Sequence, residues 1–175
     1  HDAQESRGVG DVYKIQVRDI ILGKEPHDVD IATNMDMEDV ADLFKSFDIG
    51  RSQDFGIVAV PYKYKGKTYT FEIAHYREEF GTSDARHPDE VRDVDSFEQD
   101  SARRDITINS LGLDADGTII DYQGGLEDIK NGLVRAVGDP DERIKEDALR
   151  IIRALRFAAK FGFDIEDNTK RAIKE

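Results

Sequence analysis

The stretch His27-Asp28-Val29-Asp30-Ile31-Ala32-Thr33 decides how the rest of the chain is read. Asp28 and Asp30 alternate with Val29 and Ile31. In a β-strand, residues two apart share a face. The strand expected here projects both carboxylates from one side and buries Val29 and Ile31 on the other. Adjacent carboxylates repel unless a cation lies between them. The fitting occupant is a hard divalent ion such as Mg²⁺, which takes oxygen ligands and keeps positions open for substrate phosphates. Such a pair can hold two metal ions that clamp the attacking and leaving oxygens of a phosphoryl or nucleotidyl transfer. An isolated Asp-x-Asp also fits a solvated strand edge with two surface acids, because so short a pattern recurs by chance. Its surroundings decide between the two.

Upstream, residues 9–15 read as a short strand, and residues 17–22 as a short helix stopped by Gly23 and Pro26. Downstream, Asn34 is expected to cap a helix whose stripe of Val40, Leu43, Phe44 and Phe47 faces the core. Residues 55–64 and 69–76 form two strands of a hairpin around Lys65-Gly66-Lys67. On the second strand Thr70, Glu72, Ala74 and Tyr76 share a face. Glu72, unusual in a strand interior, is a candidate third carboxylate, with a cross-strand salt bridge as the alternative. Residues 77–100 are polar and aperiodic, and read as a long mobile loop. Residues 106–111 are a strand candidate, 114–117 a turn and 118–122 a returning strand. Gly124-Gly125 breaks the chain before a short helix over 126–130 and a last short strand over 133–137.

At Gly138 the character changes. Asp139 as N-cap and Pro140 at the first helical position open one long helix, running to about Phe161 and stopped by Gly162. Ile144, Ala148, Ile151, Ile152, Leu155 and Ala159 are its expected buried face. Asn168 or Thr169 is expected to cap a further helix. The fold class is α+β: a mixed β/α domain over residues 1–138, then the start of an all-α segment over 139–175.

The chain carries 25 basic and 38 acidic residues, a formal charge of −13. An acidic surface is a poor nonspecific binder of nucleic acid, so a nucleic-acid substrate would need local arginine clusters or a further region to hold it. The absence of cysteine excludes disulfides and cysteine-based zinc sites. No apolar run reaches membrane-span length and no signal-peptide pattern opens the chain, so a cytoplasmic protein with no membrane partner is expected. The polar residues 1–8 read as a frayed end.

Two further groupings carry chemistry. Arg103-Arg104-Asp105, with Asn109 four positions on, is dense in cations for so acidic a chain. Arginine forks suit phosphate oxygens, which points to a triphosphate or ribose site; surface salt bridges are the plainer reading. Within Glu146-Asp147-Ala148-Leu149-Arg150, a helix would put Asp147 and Arg150 on one face. A helical ion pair is the plain reading. The sharper one follows from hydrogen-bond inventory: an aspartate accepts from an exocyclic amino group and an arginine donates to a ring nitrogen. Cytosine and adenine both offer that amino donor beside a ring-nitrogen acceptor, whereas guanine and uracil offer a carbonyl beside an N–H. One Asp/Arg pair could accept C and A without a template. Arg153 and Arg156 extend the basic face, for phosphate contact or for solvation.

Taken in order, Val17-Arg18-Asp19, Gly23, Asp28-Val29-Asp30-Ile31-Ala32-Thr33, Glu72, Asp84-Ala85-Arg86, Arg103-Arg104-Asp105-Ile106-Thr107-Ile108-Asn109 and Glu146-Asp147-Ala148-Leu149-Arg150 resemble the motifs of class II tRNA nucleotidyltransferases (CCA-adding enzymes) and the related bacterial poly(A) polymerases. The resemblance runs from about Val12 to Glu175. It implies a polymerase-β-like nucleotidyltransferase head, with a mixed, mainly antiparallel sheet, followed by a helical neck. It implies that Asp28 and Asp30 bind the catalytic Mg²⁺ ions, with Glu72 in support, and that Arg18 and Asp19 lie near the triphosphate. Asp84 and Arg86 would belong to a flexible loop tied to switching from C to A. Arg103, Arg104, Asp105 and Asn109 would contact triphosphate and ribose, and Asp147 and Arg150 would read the base, supported by Glu146. The implied reaction adds CMP and AMP from CTP and ATP to the 3′ end of tRNA. Poly(A) addition, CC-only or A-only addition, and a noncatalytic nucleotide-binding module are the alternatives. Two departures stand out: Lys14 and Ile15 occupy positions where the family has a phosphate-binding Gly-Gly turn, and His87 follows Arg86 where a second arginine is common. Tight tRNA binding is expected of the body and tail domains that family members carry beyond this stretch.

Overall fold

The computed structural model describes residues 12–13, 16–24, 29–44, 56–80 and 90–174. The fold is α+β. It is built on a six-stranded sheet in the order β3-β4-β2-β1-β7-β8, made of Ile57–Tyr64 (β3), Lys67–His75 (β4), Val29–Thr33 (β2), Val12–Tyr13 (β1), Gly112–Leu113 (β7) and Ile119–Ile120 (β8). Only β2 and β4 run parallel; every other pairing in that sheet is antiparallel. The expected hairpin is β3–β4. Its turn is the pair Lys65-Gly66, at φ 47° and 77°, the two positive values that a tight two-residue hairpin turn requires.

Helix α1 (Gln16–Ile21) stands where the sequence places it. Helix α2 (Met37–Leu43) does not start at Asn34: Asp36 caps it, its carboxylate accepting from the Glu38 N–H at 2.8 Å. The expected stripe holds only at Val40, which is buried; Leu43 is 67% exposed, and Phe44 turns into extended backbone and ends the helix. Phe47 lies outside the described residues.

Residues 77–100 are not one loop. Arg77–Phe80 (β5) pairs antiparallel with Glu90–Asp93 (β6), and Phe97–Ala102 (α3) follows, capped by Ser96. All four residues of β6 are exposed, so that strand carries no buried alternation to read. The strand expected over 106–111 is instead a single 3₁₀ turn over Thr107–Asn109. The Ser110 hydroxyl bonds back to the Ile106 carbonyl at 3.0 Å, and Thr107 donates to Asp128 at 2.6 Å. The first, a local bond to backbone, competes with ladder pairing and closes the turn; the second ties the turn to the helix that follows. The run is fully buried, and Ile106, Ile108 and Leu111 form the core with Val17, Ile129, Val134 and Ala154. Helix α4 (Gly125–Asn131) packs tightly over this turn: a Cβ on Gly125 would run into the Thr107 carbonyl. Next come Leu133–Val134 (β9) and an isolated bridge from Ile106 to Ala136, in place of a five-residue strand.

Asp139 and Pro140 open a helix as expected, but it is two helices. Pro140–Glu146 (α5) ends at Asp147, whose backbone is extended (φ −153°, ψ 107°), and Leu149–Phe161 (α6) begins beyond it. The Asp147 carboxylate accepts from the Leu149 N–H at 2.8 Å, as aspartates do at helix starts. The break shifts the phase of the second helix. Ala154, Phe157, Ala158 and Phe161 face the core, while Ile152 and Leu155 are 63% and 48% exposed and Ala148 and Ala159 are exposed too. Ile144 and Ile151 are half-buried. Gly162 stops α6 at φ 70°.

Asp164–Ile165 (β10) pairs parallel with β9 and is the one strand after residue 139 among the described residues. The last helix, Asp167–Lys174 (α7), is capped by Glu166, which accepts from the Thr169 N–H at 2.9 Å, so Asn168 and Thr169 lie inside it. Arg135, which ion-pairs Asp128 at 3.0 Å, also faces Glu166. No helix among the described residues is long and apolar enough to cross a membrane.

Candidate active site

The carboxylate face follows from sheet register. Asp30 of β2 lies directly opposite Glu72 of β4, and Ala59 of β3 is the other neighbour of Glu72. Directly paired residues project from the same side of a sheet. Glu72 is exposed and Asp30 half-buried, while Ile73 behind them is buried and Ile31 half-buried. Backbone register thus sets Asp30 and Glu72 side by side. Asp28 lies outside the described residues, as do Lys14, Ile15, Asp84 and Arg86. Among the described residues no three His, Asp or Glu side chains gather closely enough to hold a metal ion.

A second feature is an open cleft of about 320 Å³. Its walls are Arg77, Arg103, Arg104, Asp105, Asn109, Asp147, Arg150 and Arg153. It thus unites the Arg-Arg-Asp run with the Asp147/Arg150 pair, 42 or more positions away in the chain. Its lining holds five arginines against two aspartates, a concentration of basic side chains within an acidic protein. Arginine forks give such a surface both charge and directed donors for phosphate.

Each wall is braced. Arg103 and Arg104 both donate to Asp100 at 2.9 Å, and Arg104 also donates to the Asn109 carbonyl at 2.8 Å. One Asp105 oxygen accepts from its neighbour's Ile106 N–H at 2.9 Å; the other accepts from Arg153 at 2.7 Å. Arg150 ion-pairs Glu146 at 3.0 Å and reaches the Arg103 carbonyl at 3.3 Å. Asp147 and Arg150 do not share a helix face, because Asp147 precedes α6; the break nevertheless turns both into the cleft.

Arg18 is placed differently. Its side chain is 3% exposed; it ion-pairs Asp19 at 2.8 Å and donates to the Asn109 side-chain oxygen. Its guanidinium carbon lies 4.9 Å from the ring centres of both Phe157 and Phe161. Arg18 thus reaches the cleft through Asn109 and packs against the inner face of α6.

Two residues escaped the sequence reading. Arg77, at the start of β5, lines this cleft and also a neighbouring one of about 450 Å³ beside His75 and Asp93. Nothing local marks it. Asp100 is fully buried beneath the arginines. Its spacing of three and four residues from Arg103 and Arg104 is a readable signal, because such spacings meet on a helical turn. Arg153, left between phosphate contact and solvation, lines the cleft. Arg156 is not among the lining residues and sits 5.9 Å from the Phe157 ring.

With this geometry in view, known proteins fall into place beside the chain. Residues 16–135 match the family described as Poly A polymerase head domain. The CCA-adding enzyme of Lactobacillus helveticus (strain DPC 4571) is 46% identical over 160 residues, covering 91% of this chain and 39% of the relative. That of Enterococcus faecalis (strain ATCC 700802 / V583) is 45% identical over 159 residues, covering 91% and 38%. The crystal structure of the Bacillus stearothermophilus CCA-adding enzyme in complex with CTP superimposes with a TM-score of 0.79 at 38% identity, covering 96% of this chain and 39% of that one. A tRNA nucleotidyltransferase complexed with a primer tRNA and an incoming ATP analog gives 0.66 at 29% identity, covering 95% and 46%. The chain thus spans about two fifths of the length of the curated relatives it matches. The family match alone runs through well over half of the chain, from α1 to the end of the mixed sheet region, and the chain belongs to the Poly A polymerase head domain family.

Proposed function

We propose that this chain is the nucleotide-selecting and catalytic part of a CCA-adding enzyme, transferring CMP and AMP from CTP and ATP to the 3′ end of a tRNA. The observation that carries the reading is the single cleft shared by Arg103, Arg104, Asp105 and Asn109 with Asp147 and Arg150. Polyphosphate-binding cations and a base-reading pair belong together only if one nucleotide spans them. The relatives named as CCA-adding enzymes, one of them solved with CTP, support the same reading.

In this reaction the tRNA 3′-oxygen bonds to the α-phosphorus, the bond from that phosphorus to the bridging oxygen breaks, and pyrophosphate leaves. Arg103, Arg104 and Arg153 face the phosphates and offset the charge that accumulates on them. Asp105 and Asn109 face the ribose, with Arg18 holding Asn109 and Asp19 holding Arg18. Asp147 accepts from the base amino group and Arg150, aimed by Glu146, donates to the ring nitrogen. Asp84 and Arg86 belong to a loop that takes part in the change from C to A. Asp30 and Glu72, opposite one another on one face with oxygen donors only, fit a hard cation, and Asp28 completes the set. Mg²⁺ held there would activate the attacking hydroxyl and balance charge on the leaving group.

The test is incubation of the chain with Mg²⁺, each nucleoside triphosphate alone, CTP with ATP, and a tRNA lacking its terminal CCA, with products sized on a sequencing gel. Addition of C, C and A in order is the expected result. A run of A would make it a poly(A) polymerase. CTP and ATP binding without extension would make it a nucleotide-binding module that needs further domains to hold tRNA.

A further inference from the structure

Asp100 touches none of the cleft's open space, yet it organises one wall of it. Its side chain is 0% exposed, at the end of the short helix α3. One carboxylate oxygen accepts from Arg103 Nη2 at 2.9 Å and from the Arg77 backbone N–H at 3.3 Å. The other accepts from Arg104 Nη2 at 2.9 Å and Arg104 Nε at 3.3 Å. Three cleft arginines are thus referred to one buried anion: two by their guanidinium groups, and the third by the backbone that carries it.

The physical consequences are two. Arginines crowded into one wall repel each other, and a carboxylate between them removes that penalty. An unbound arginine also samples many rotamers, which a ligand would have to freeze on binding. Here Arg103 and Arg104 are fixed before any ligand arrives, and Arg104 is held from further sides by the Asn109 carbonyl and the Phe97 ring, 5.8 Å away. Both side chains keep part of their surface open, at 16% and 12% exposure.

We propose that Asp100 is a positioning residue for nucleotide recognition: its buried carboxylate presets Arg103 and Arg104, so that the cleft meets the polyphosphate of a nucleoside triphosphate with its cations already in place. This rests on the reading of the cleft as a nucleoside triphosphate site.

Asp100→Asn tests it. The amide keeps the size and one acceptor oxygen but turns an N–H₂ donor toward arginine donors. CTP, CDP and CMP are titrated calorimetrically into the unaltered chain and the variant, with thermal unfolding measured alongside. The folded variant is expected to bind CTP on the order of ten-fold more weakly and CMP almost unchanged, so that the preference for triphosphate contracts. A merely structural role would lower the melting temperature and leave that preference alone. Equal CTP affinity and equal preference in a folded variant overturn the proposal while leaving the site reading intact. Failure of the unaltered chain to bind CTP overturns both. Should Asp100→Asn not fold, side-chain ¹⁵Nε resonances of Arg103 and Arg104 in the unaltered chain decide: restrained forks before CTP is added support preset cations, and freely rotating forks that fix only with CTP overturn them.

Discussion

Arg153 of α6 donates from Nε to Asp105 Oδ2 at 2.7 Å, joining residues 48 positions apart. The bond ties the Arg-Arg-Asp run to the helix that begins after Asp147 and carries Arg150. Its two ends are unlike: Arg153 has a 53% exposed side chain, whereas that of Asp105 is 8% exposed and also accepts from the Ile106 N–H. Arg153→Ala therefore costs at most about 1 kcal/mol of stability, as exposed ion pairs do. Asp105→Ala strands a backbone donor and costs about 1–3 kcal/mol. Chemical denaturation of the two variants measures the difference; equal costs would show that the buried bond to Ile106 contributes nothing.

Asp30 and Glu72 lie opposite one another in the sheet, half-buried and exposed respectively, and the proposed function gives their carboxylates to the chemistry rather than to the core. Asp30→Asn and Glu72→Gln are each expected to leave unfolding free energy within about 0.5 kcal/mol of the unaltered chain. Nucleotide transfer by the same variants is expected to fall at least about a hundred-fold, the scale on which lost charge stabilisation acts. A loss of stability on the scale of a core cavity, with transfer intact, would place these residues in the fold and not in the chemistry.

Asp147 carries two duties that substitution can separate. It caps α6 through the Leu149 N–H, and in the proposed function it reads the base amino group. Asp147→Asn keeps the capping oxygen, so stability holds while the preference for C and A over G and U is expected to relax. Asp147→Ala loses both, and costs about 1 kcal/mol in addition. Competition among the four triphosphates, read beside melting curves, checks this; unchanged selectivity in both variants would remove Asp147 from base reading.

Glu166 supplies a pH dependence. Burial pushes its carboxyl up, but hydrogen bonds from the Thr169 and Asn168 backbone and the Thr169 hydroxyl, together with the Arg135 charge, outweigh that and hold it below the usual glutamate range. A depressed folded value means stability present above the unfolded value, about 4.3, and lost as pH falls through the folded one. The stability gap between the unaltered chain and Glu166→Gln is thus expected to be widest above about pH 5 and to shrink below about pH 4. A gap constant across that range would contradict the assignment.

Much of this was legible where the signal was local. The Lys65-Gly66 turn, Pro140 at the start of α5 and Gly162 at the end of α6 each act through their own backbone preferences. Asp30 opposite Glu72 was legible in part: the sequence marks each carboxylate, and only sheet register sets them side by side. The break at Asp147 was hidden, because its neighbours suit a helix and the interruption shows only as a capping bond in three dimensions. Ile106 to Leu111 misled for the opposite reason. Its β-branched residues suit a strand, but the Ser110 hydroxyl closes a turn on the Ile106 carbonyl and the Thr107 hydroxyl ties that turn to Asp128 of α4. Strand β6 is exposed along its whole length, which leaves no pattern in its residues.

Whether one cleft reads both polyphosphate and base is tested by calorimetric titration of the chain with CTP, ATP, GTP and UTP, repeated with Arg150→Ala. CTP and ATP are expected to bind more tightly than GTP and UTP, and Arg150→Ala to erase the difference while retaining binding through Arg103 and Arg104. Equal binding of all four by the unaltered chain, or a preference that survives loss of Arg150, would contradict it.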